Sequence, residues 1–226
     1  MTDPAPRLDR EVVAMRVARE FSDGDVVNLG LGIPTLCSDF VPPAIQVLYQ
    51  SESGVLNCGP LAAGGEGTVD LINAGGQFLE PLPGMAFFDT VESFTMIRGG
   101  HIDVTVLGAL QVSAEGDLAN WFIPARGIGN VGGAMDLASG AKRVIAAIEH
   151  NGKDGDPKIL PRCTYPLTAR RCVSLIVTDI AVINVLPEGA GLVLRELAPG
   201  WSVDDVKRET GAALAVSPDV REIELL

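Results

Sequence analysis

Apolar residues run along this chain in two rhythms. In Leu8 to Phe21 (LDREVVAMRVAREF), Leu8, Val12, Met15 and Phe21 fall near one helical face with charges on the other, which predicts a helix ended by Asp23-Gly24. Elsewhere the apolar positions form short unbroken blocks. Asp25 to Gly30 (DVVNLG), Gln46 to Gln50 (QVLYQ), Asp70 to Ala74, Val104 to Leu107, Val144 to Ile148 and Cys172 to Val177 have strand length. Between them Thr35 to Phe40, stopped before Pro42-Pro43, and Thr90 to Arg98 and Ala134 to Ala141 suit short helices. The tail reads as a strand over Leu192 to Glu196, a turn at Pro199-Gly200 and a helix over Val203 to Thr210. Strands that are apolar throughout, instead of at every second residue, are buried on both faces. Alternated with helices, they predict an α/β fold: a single three-layer domain around a mostly parallel sheet. With no internal repeat or low-complexity linker, and with His150 to Pro157 (HNGKDGDP) read as a solvated connection, residues 1–226 are expected to be one domain after a flexible leader over 1–7.

Composition narrows the partners. Hydrophobic residues make up 47% of the 226 and charged residues 20%, which is globular, and the net charge of −12 argues against nucleic acid. Cys37, Cys58, Cys163 and Cys172 have no C-x-x-C spacing, and with His101 and His150 they suggest no metal cluster. The start MTDPAPRLDR lacks an apolar signal core, and no run of about 18 apolar residues would span a membrane. The expectation is a reducing cytoplasm, with the cysteines as core thiols.

Three stretches invite chemistry. Gly127-Ile128-Gly129-Asn130-Val131-Gly132 satisfies G-x-G-x-x-G, and Glu149 stands about 20 residues on, where a dinucleotide site wants an acid. However, Pro124-Ala125-Arg126 precedes it where a strand should, so a nicotinamide-dependent dehydrogenase is the weakest reading. The same glycines suit a tight loop into the next helix. Alternatively, Gly132 and Gly133 let backbone N–H groups at that helix entrance approach a developing negative charge. Asn28-Leu29-Gly30-Leu31-Gly32-Ile33-Pro34 is either a strand-ending turn capped by Asn28 or a place where the Asn28 amide meets a substrate oxygen. In Gln50 to Pro60 (QSESGVLNCGP), Glu52 follows an apolar strand and is flanked by Ser51, Ser53 and Gly54. Such small neighbours give a carboxylate reach without bulk.

Seven segments in order, VNLGLGIPT (Val27 to Thr35), SESGVLNCGP (Ser51 to Pro60), DLINAGG (Asp70 to Gly76), Phe87 to Trp121, Gly132 to His150, CTYPLTARR (Cys163 to Arg171) and LRELAPGWS (Leu194 to Ser202), resemble the β subunit of the class I (3-oxoacid) coenzyme A-transferases. The resemblance spans roughly Glu11 to Glu209. It implies that Glu52 is the covalent nucleophile, that Asn28 holds the reacting carbonyl oxygen, and that Gly132 and Gly133 place a backbone N–H beside it. Gly30, Gly32, Ser53, Gly54 and Cys58 are then expected to line the substrate, with Cys58 filling a small space instead of reacting. The implied reaction moves CoA from succinyl-CoA or acetyl-CoA to a 3-oxoacid such as acetoacetate or 3-oxoadipate, with CoA as substrate and neither metal nor organic cofactor. It also implies an α subunit completing the site, in an α2β2 assembly. No role is derived for His101, and Lys142, Arg143 and Lys158 are read as a solvated face before CoA-phosphate ligands. Ser53 stands where the family has asparagine, Asn57-Cys58 where it has a glycine and an apolar residue, and Ala125 to Val131 is atypical. The alternatives are hydrolysis or another conversion of an acyl-CoA on this fold, and a non-catalytic partner subunit.

Overall fold

The computed structural model describes residues 3–224 except 60, 63, 65, 74 and 128. In chain order its strands are β1 (Val26–Leu29), β2 (Leu48–Ser51), β3 (Val55–Leu56), β4 (Ala86–Phe87), β5 (Val104–Leu107), β6 (Gln111–Ser113) and β7 (Leu118–Ala119). They continue as β8 (Arg143–Ile148), β9 (Ile159–Leu160), β10 (Val173–Thr178), β11 (Ala181–Val185), β12 (Leu192–Leu197) and β13 (Leu214–Glu222). The α-helices are α1 (Arg10–Ala18), α2 (Ile33–Leu36), α3 (Thr90–Arg98), α4 (Ala134–Gly140) and α5 (Val203–Glu209). One sheet has the order β13-β12-β11-β10-β8-β5-β1-β2-β3-β4, and β7-β6-β9 form a small second one.

The central run β10-β8-β5-β1-β2 is parallel throughout. β11 pairs antiparallel with β10 and β12, and β2-β3-β4 form an antiparallel edge. A parallel centre needs cover on both faces, and β8 shows it residue by residue. Val144, Ala146 and Ile148 pack on the side of Ile97 from α3 and Leu137 from α4. Ile145 and Ala147 pack on the side of Val13 and Val17 from α1 and Ile33 from α2. These are the three layers expected, since alternate side chains of a strand point to opposite faces.

Two expectations need correction. Asp70 to Ala74 forms no strand ladder: Ile72 makes one antiparallel bridge to Phe78, and Ala74 lies outside the described residues. The Asn73 side chain closes the turn itself, its Oδ1 accepting from the backbone N–H groups of Gly75 (2.9 Å) and Gln77 (3.0 Å). An asparagine that satisfies the backbone locally competes with a ladder. The buried face of α1 is also rotated, to Val13, Ala14, Val17 and Ala18, with Arg16 among them. Arg16 is buried because Glu196 of β12 meets it at 2.6 and 3.0 Å, and Glu20 meets it at 2.9 Å. A buried arginine so paired counts as core, which a hydrophobicity pattern misreads. Ahead of α1, in the segment expected to be a flexible leader, Arg7 bonds Asp3 and Asn151 and lies over the Trp201 ring.

His150 sits at the end of β8 with no exposure. Thr210 donates its hydroxyl proton to the Val206 carbonyl at 2.7 Å, so His150 Nε2–H is the donor across the 2.9 Å contact to Thr210. Nδ1 lies 3.0 Å from Thr178 Oγ1, which is also 3.1 Å from the Ala181 carbonyl oxygen. Burial, followed by the nearby charges of Arg7 and Lys158, pushes its pKa down from 6.5 to about 3.

The folded protein therefore keeps this ring neutral where the unfolded chain takes up a proton. Its share of stability is complete above pH 6.5 and is lost as pH falls from 6.5 towards 3, with a slope of at most about 1.4 kcal/mol per pH unit. Urea unfolding at pH 7 and pH 5 should show this loss, and His150→Gln should flatten it. An equal pH dependence in the variant would rule this linkage out.

Candidate active site

The parallel register sets Asn28 of β1 opposite Gln50 of β2. Both are polar residues buried at the carboxyl end of apolar strands, Asn28 at 1% and Gln50 at 3% exposure. Asn28 Nδ2 donates to Gln50 Oε1 at 2.7 Å, to the Gln50 carbonyl at 3.0 Å and to Glu52 Oε2 at 3.2 Å. Gln50 Nε2 donates in turn to Ser93 Oγ of α3 at 2.7 Å. These partners fix the amide orientation, because flipping Asn28 would set its oxygen against three oxygens. Asn28 Oδ1 is left buried with no partner among the described residues.

Glu52 stands one residue past the end of β2, in a turn. Gly54 N–H donates to the Ser51 carbonyl, and the Gly54 carbonyl accepts from Phe88 N–H, both at 3.0 Å. Gly54 has φ +113°, and a Cβ there would lie 2.1 Å from the Phe88 carbonyl oxygen. Only glycine fits. The Ser51 and Ser53 hydroxyls bond each other at 2.8 Å across the same turn.

The facing wall is the entrance to α4, which has no side-chain N-cap. Gly132 faces open space, and a Cβ at Gly133 would sit 3.6 Å from Glu52 Oε1 and 3.2 Å from Phe94 Cζ. The backbone of Gly133, at φ −67°, is open to any residue, so its lack of a side chain matters for room and not for conformation. Glu52, Gly30, Gly132 and Gly133 thus line one cleft, at the carboxyl ends of β1, β2 and β5, where open α/β sheets place their ligands. Asn120 and Asn130 also line it and were missed by the sequence reading. Asn120 is held by Thr168 Oγ1 at 2.7 Å. Glu52 is the charged residue among the described walls.

The other expected substrate residues lie off this cleft. Gly32, at φ +89°, precedes α2 and lines no described cavity, while Ser53 and Gly54 build the turn instead of the cleft wall. Gly30, although on the cleft, also packs tightly, since a Cβ there would be 3.2 Å from the Val106 carbonyl oxygen. Cys58 is buried on the opposite side of β2 beside Val55 and Leu79, and burial raises its thiol to about 11. It fills space. Asn57 takes φ +59°, the left-handed region that asparagine tolerates better than other non-glycine residues. That accounts for asparagine at this position. His101 is exposed beyond α3, and Pro60, Ala74 and Ile128 lie outside the described residues. Lys142 pairs with Asp103 at 2.7 Å, Lys158 lies 3.8 Å from Glu149, and Arg143 pairs with Glu20.

The G-x-G-x-x-G match has no dinucleotide context. A 3₁₀ turn over Pro124–Arg126 precedes it, and a Cβ at Gly129 would be 2.8 Å from the Trp121 carbonyl oxygen, so packing demands that glycine. Glu149 is already bonded to Arg10 at 2.8 Å, which lowers its pKa.

Known proteins resemble this chain in sequence and in fold. The Coenzyme A transferase family profile matches residues 10–209. The chain is 46% identical over 211 residues to the acetate CoA-transferase subunit beta of Escherichia coli K12, covering 93% of this chain and 95% of that one. It is 50% identical over 216 residues to the human mitochondrial succinyl-CoA:3-ketoacid coenzyme A transferase 2, covering 95% of this chain but 42% of the relative's length. In fold it matches the acyl-CoA transferase YdiF apoenzyme of Escherichia coli O157:H7 with a TM-score of 0.72 at 20% identity, covering 100% of this chain and 45% of that one.

The two glycine environments predict opposite outcomes. Gly54→Ala should lose about 2 kcal/mol or more in chemical unfolding, through both φ and the Phe88 contact. Gly132→Ala should stay within about 0.5 kcal/mol of the parent. Equal losses at the two sites would contradict the turn geometry.

Proposed function

This chain belongs to the coenzyme A transferase family, and from that premise we propose that it is the glutamate-bearing subunit of an acid:CoA transferase acting on a 3-oxoacid. The observation that carries the reading is the 3.2 Å contact from Asn28 Nδ2 to Glu52 Oε2 at a cleft whose far wall is Gly132-Gly133. A carboxylate held there from one side keeps its other oxygen towards the glycine wall, where an acyl carbonyl has room.

In the proposed reaction Glu52 attacks the thioester carbonyl carbon, the C–S bond breaks, and CoA leaves as thiolate from a mixed anhydride. The thiolate attacks the glutamyl carbonyl and expels the free carboxylate, leaving a glutamyl–CoA thioester. The carboxylate of the second acid repeats these steps in reverse, so no proton is gained or lost overall. Splitting one difficult exchange in this way is covalent catalysis. Asn28 and the backbone N–H groups at the α4 entrance stabilise the oxyanion of each tetrahedral intermediate, with worth that depends on their being held in advance. CoA is a substrate, and no separate cofactor is invoked.

The anhydride and the thioester must both be kept from water. In this chain the Glu52 end carries exposed apolar residues: Leu31 at 62%, Phe87 at 65%, Val91 at 75% and Val131 at 64%. Apolar exposure around a reactive cleft supports a covering partner. We assign that place to an α-type subunit, in an α2β2 assembly in the cytoplasm.

Mass spectrometry after brief exposure of the chain and its co-purified partner to acetoacetyl-CoA should find a CoA-sized adduct on the Glu52 peptide. Glu52→Gln should abolish the adduct and cut turnover by on the order of 10⁴-fold or more. Asn28→Ala should cut turnover by about 10²- to 10³-fold. Consumption of acyl-CoA without any adduct would remove Glu52 from the nucleophile role and leave hydrolysis as the reading to pursue.

A further inference from the structure

Side chains of β2 alternate, so Tyr49 and Ser51 face away from the side on which Glu52 meets the cleft. There a second pocket lies under the segment that follows β3. It shares Leu29 and Leu31 with the Glu52 cleft, and Leu61 and Leu79 complete its apolar wall. Tyr49 stands at this pocket with its hydroxyl oxygen out of contact with solvent and without a partner among the described residues.

The other polar side chains on the walls already have partners: Gln50 Nε2 donates to Ser93 Oγ at 2.7 Å, and the Ser51 and Ser53 hydroxyls bond each other at 2.8 Å. Thr35 donates to the Gly30 carbonyl at 2.8 Å, Ser38 to the Thr35 carbonyl at 3.1 Å, and Asn73 Nδ2 to Gln77 Oε1 at 2.9 Å. Tyr49 is thus the side chain on these walls whose buried polar atom has no partner among the described residues. A buried hydroxyl left in that state carries a cost that an incoming acceptor removes. No described residue on the walls is charged. A carboxylate entering here would lose its hydration with no cation to compensate it, whereas a ketone or an aliphatic chain would not.

A thioester reacting at Glu52 sends two arms away from its carbonyl. The CoA arm is long and must reach solvent, so it takes the open cleft. The acyl chain of a small acid needs only a short enclosed space beside the carbonyl.

We propose that the Tyr49 pocket receives the acyl chain of the reacting acid, that it selects a short chain with no second carboxylate, and that Tyr49 donates to a neutral oxygen such as a 3-oxo group. This rests on the transferase reading above and deepens it. It favours a monocarboxylic pair such as acetyl-CoA and acetoacetate over diacids such as succinate and 3-oxoadipate. Tyr49 is here a specificity residue: it meets the chain and not the reacting carbonyl.

The test is equilibrium binding to Glu52→Gln, which forms no covalent adduct, as the full chain with its co-purified partner. Calorimetry with butyryl-CoA, acetoacetyl-CoA and succinyl-CoA should show succinyl-CoA at least about tenfold weaker than butyryl-CoA. Adding Tyr49→Phe should weaken acetoacetyl-CoA about tenfold and leave butyryl-CoA unchanged. Cys58→Leu, which narrows the same space, should weaken both. Succinyl-CoA binding as tightly as butyryl-CoA, or Tyr49→Phe weakening both chains equally, overturns the pocket assignment. So does an absence of binding by all three. The covalent adduct of the parent protein is scored separately. Chain selectivity without an adduct removes the transferase reading and leaves the pocket, while an adduct without selectivity does the reverse.

Discussion

A buried pair of carboxamides, Asn28 and Gln50, is the contact on which the Glu52 end of this molecule depends. The two side chains occupy neighbouring parallel strands in register and are almost wholly withdrawn from water. In such a place an unpaired amide is costly, and a paired one is stiff. The cost forces the geometry. Nδ2 of Asn28 must turn to the oxygens of Gln50, and Glu52 Oε2 then falls within its reach. The Gln50 amide, already committed to Asn28, has its nitrogen left for Ser93, which ties α3 to the same network. The position of the carboxylate is therefore set by core packing and not by a mobile loop, which is how a reacting group is held before substrate arrives.

Much of the scaffold was legible because its strands are apolar on both faces. The blocks at Val104 to Leu107 and Val144 to Ile148, and the helix Thr90 to Arg98, are found in the structure with little or no shift. The failures have local causes. β13 includes a proline and several charged residues and is mostly exposed, so it gives little hydrophobic signal. β11 follows β10 after a tight turn at Asp179-Ile180 and was not read as a strand of its own. The α1 face was misplaced because a buried ion pair looks like surface in a hydrophobicity pattern.

The site divides in the same way. Glu52, Asn28 and the Gly132-Gly133 pair were visible through family resemblance, and the structure sets Glu52 and the two glycines on one cleft with Asn28 buried behind Glu52. Ser53, Gly54 and Gly32 lie in the right motifs, yet they shape turns instead of lining the cleft. Sequence proximity to Glu52 marks the loop that carries it and does not separate residues that face the cleft from those that make the turn possible. Gln50 had a usable signal: a carboxamide ending an apolar strand two residues before the glutamate. Tyr49 had none, because an aromatic residue in a strand is ordinary core until its hydroxyl is found without an acceptor.

Charge sets the last constraint. The chain carries −12 overall, and the described walls of the cleft hold one of its acidic groups, Glu52, and no cation. The acyl-CoA of the proposed reading is itself polyanionic through its phosphates, so long-range attraction from a chain of this charge would not draw it in. Binding must come from short-range contacts with the neutral parts of the ligand, or from positive charge supplied outside this cleft. Lys142, Lys158 and Arg143 are already paired with acids of this chain. On the proposed reading the partner subunit therefore has an electrostatic task as well as a covering one. A carboxylate nucleophile gains from that division: cations far out along the CoA arm hold the ligand, whereas a cation beside Glu52 would stabilise the resting carboxylate and raise the barrier to its attack.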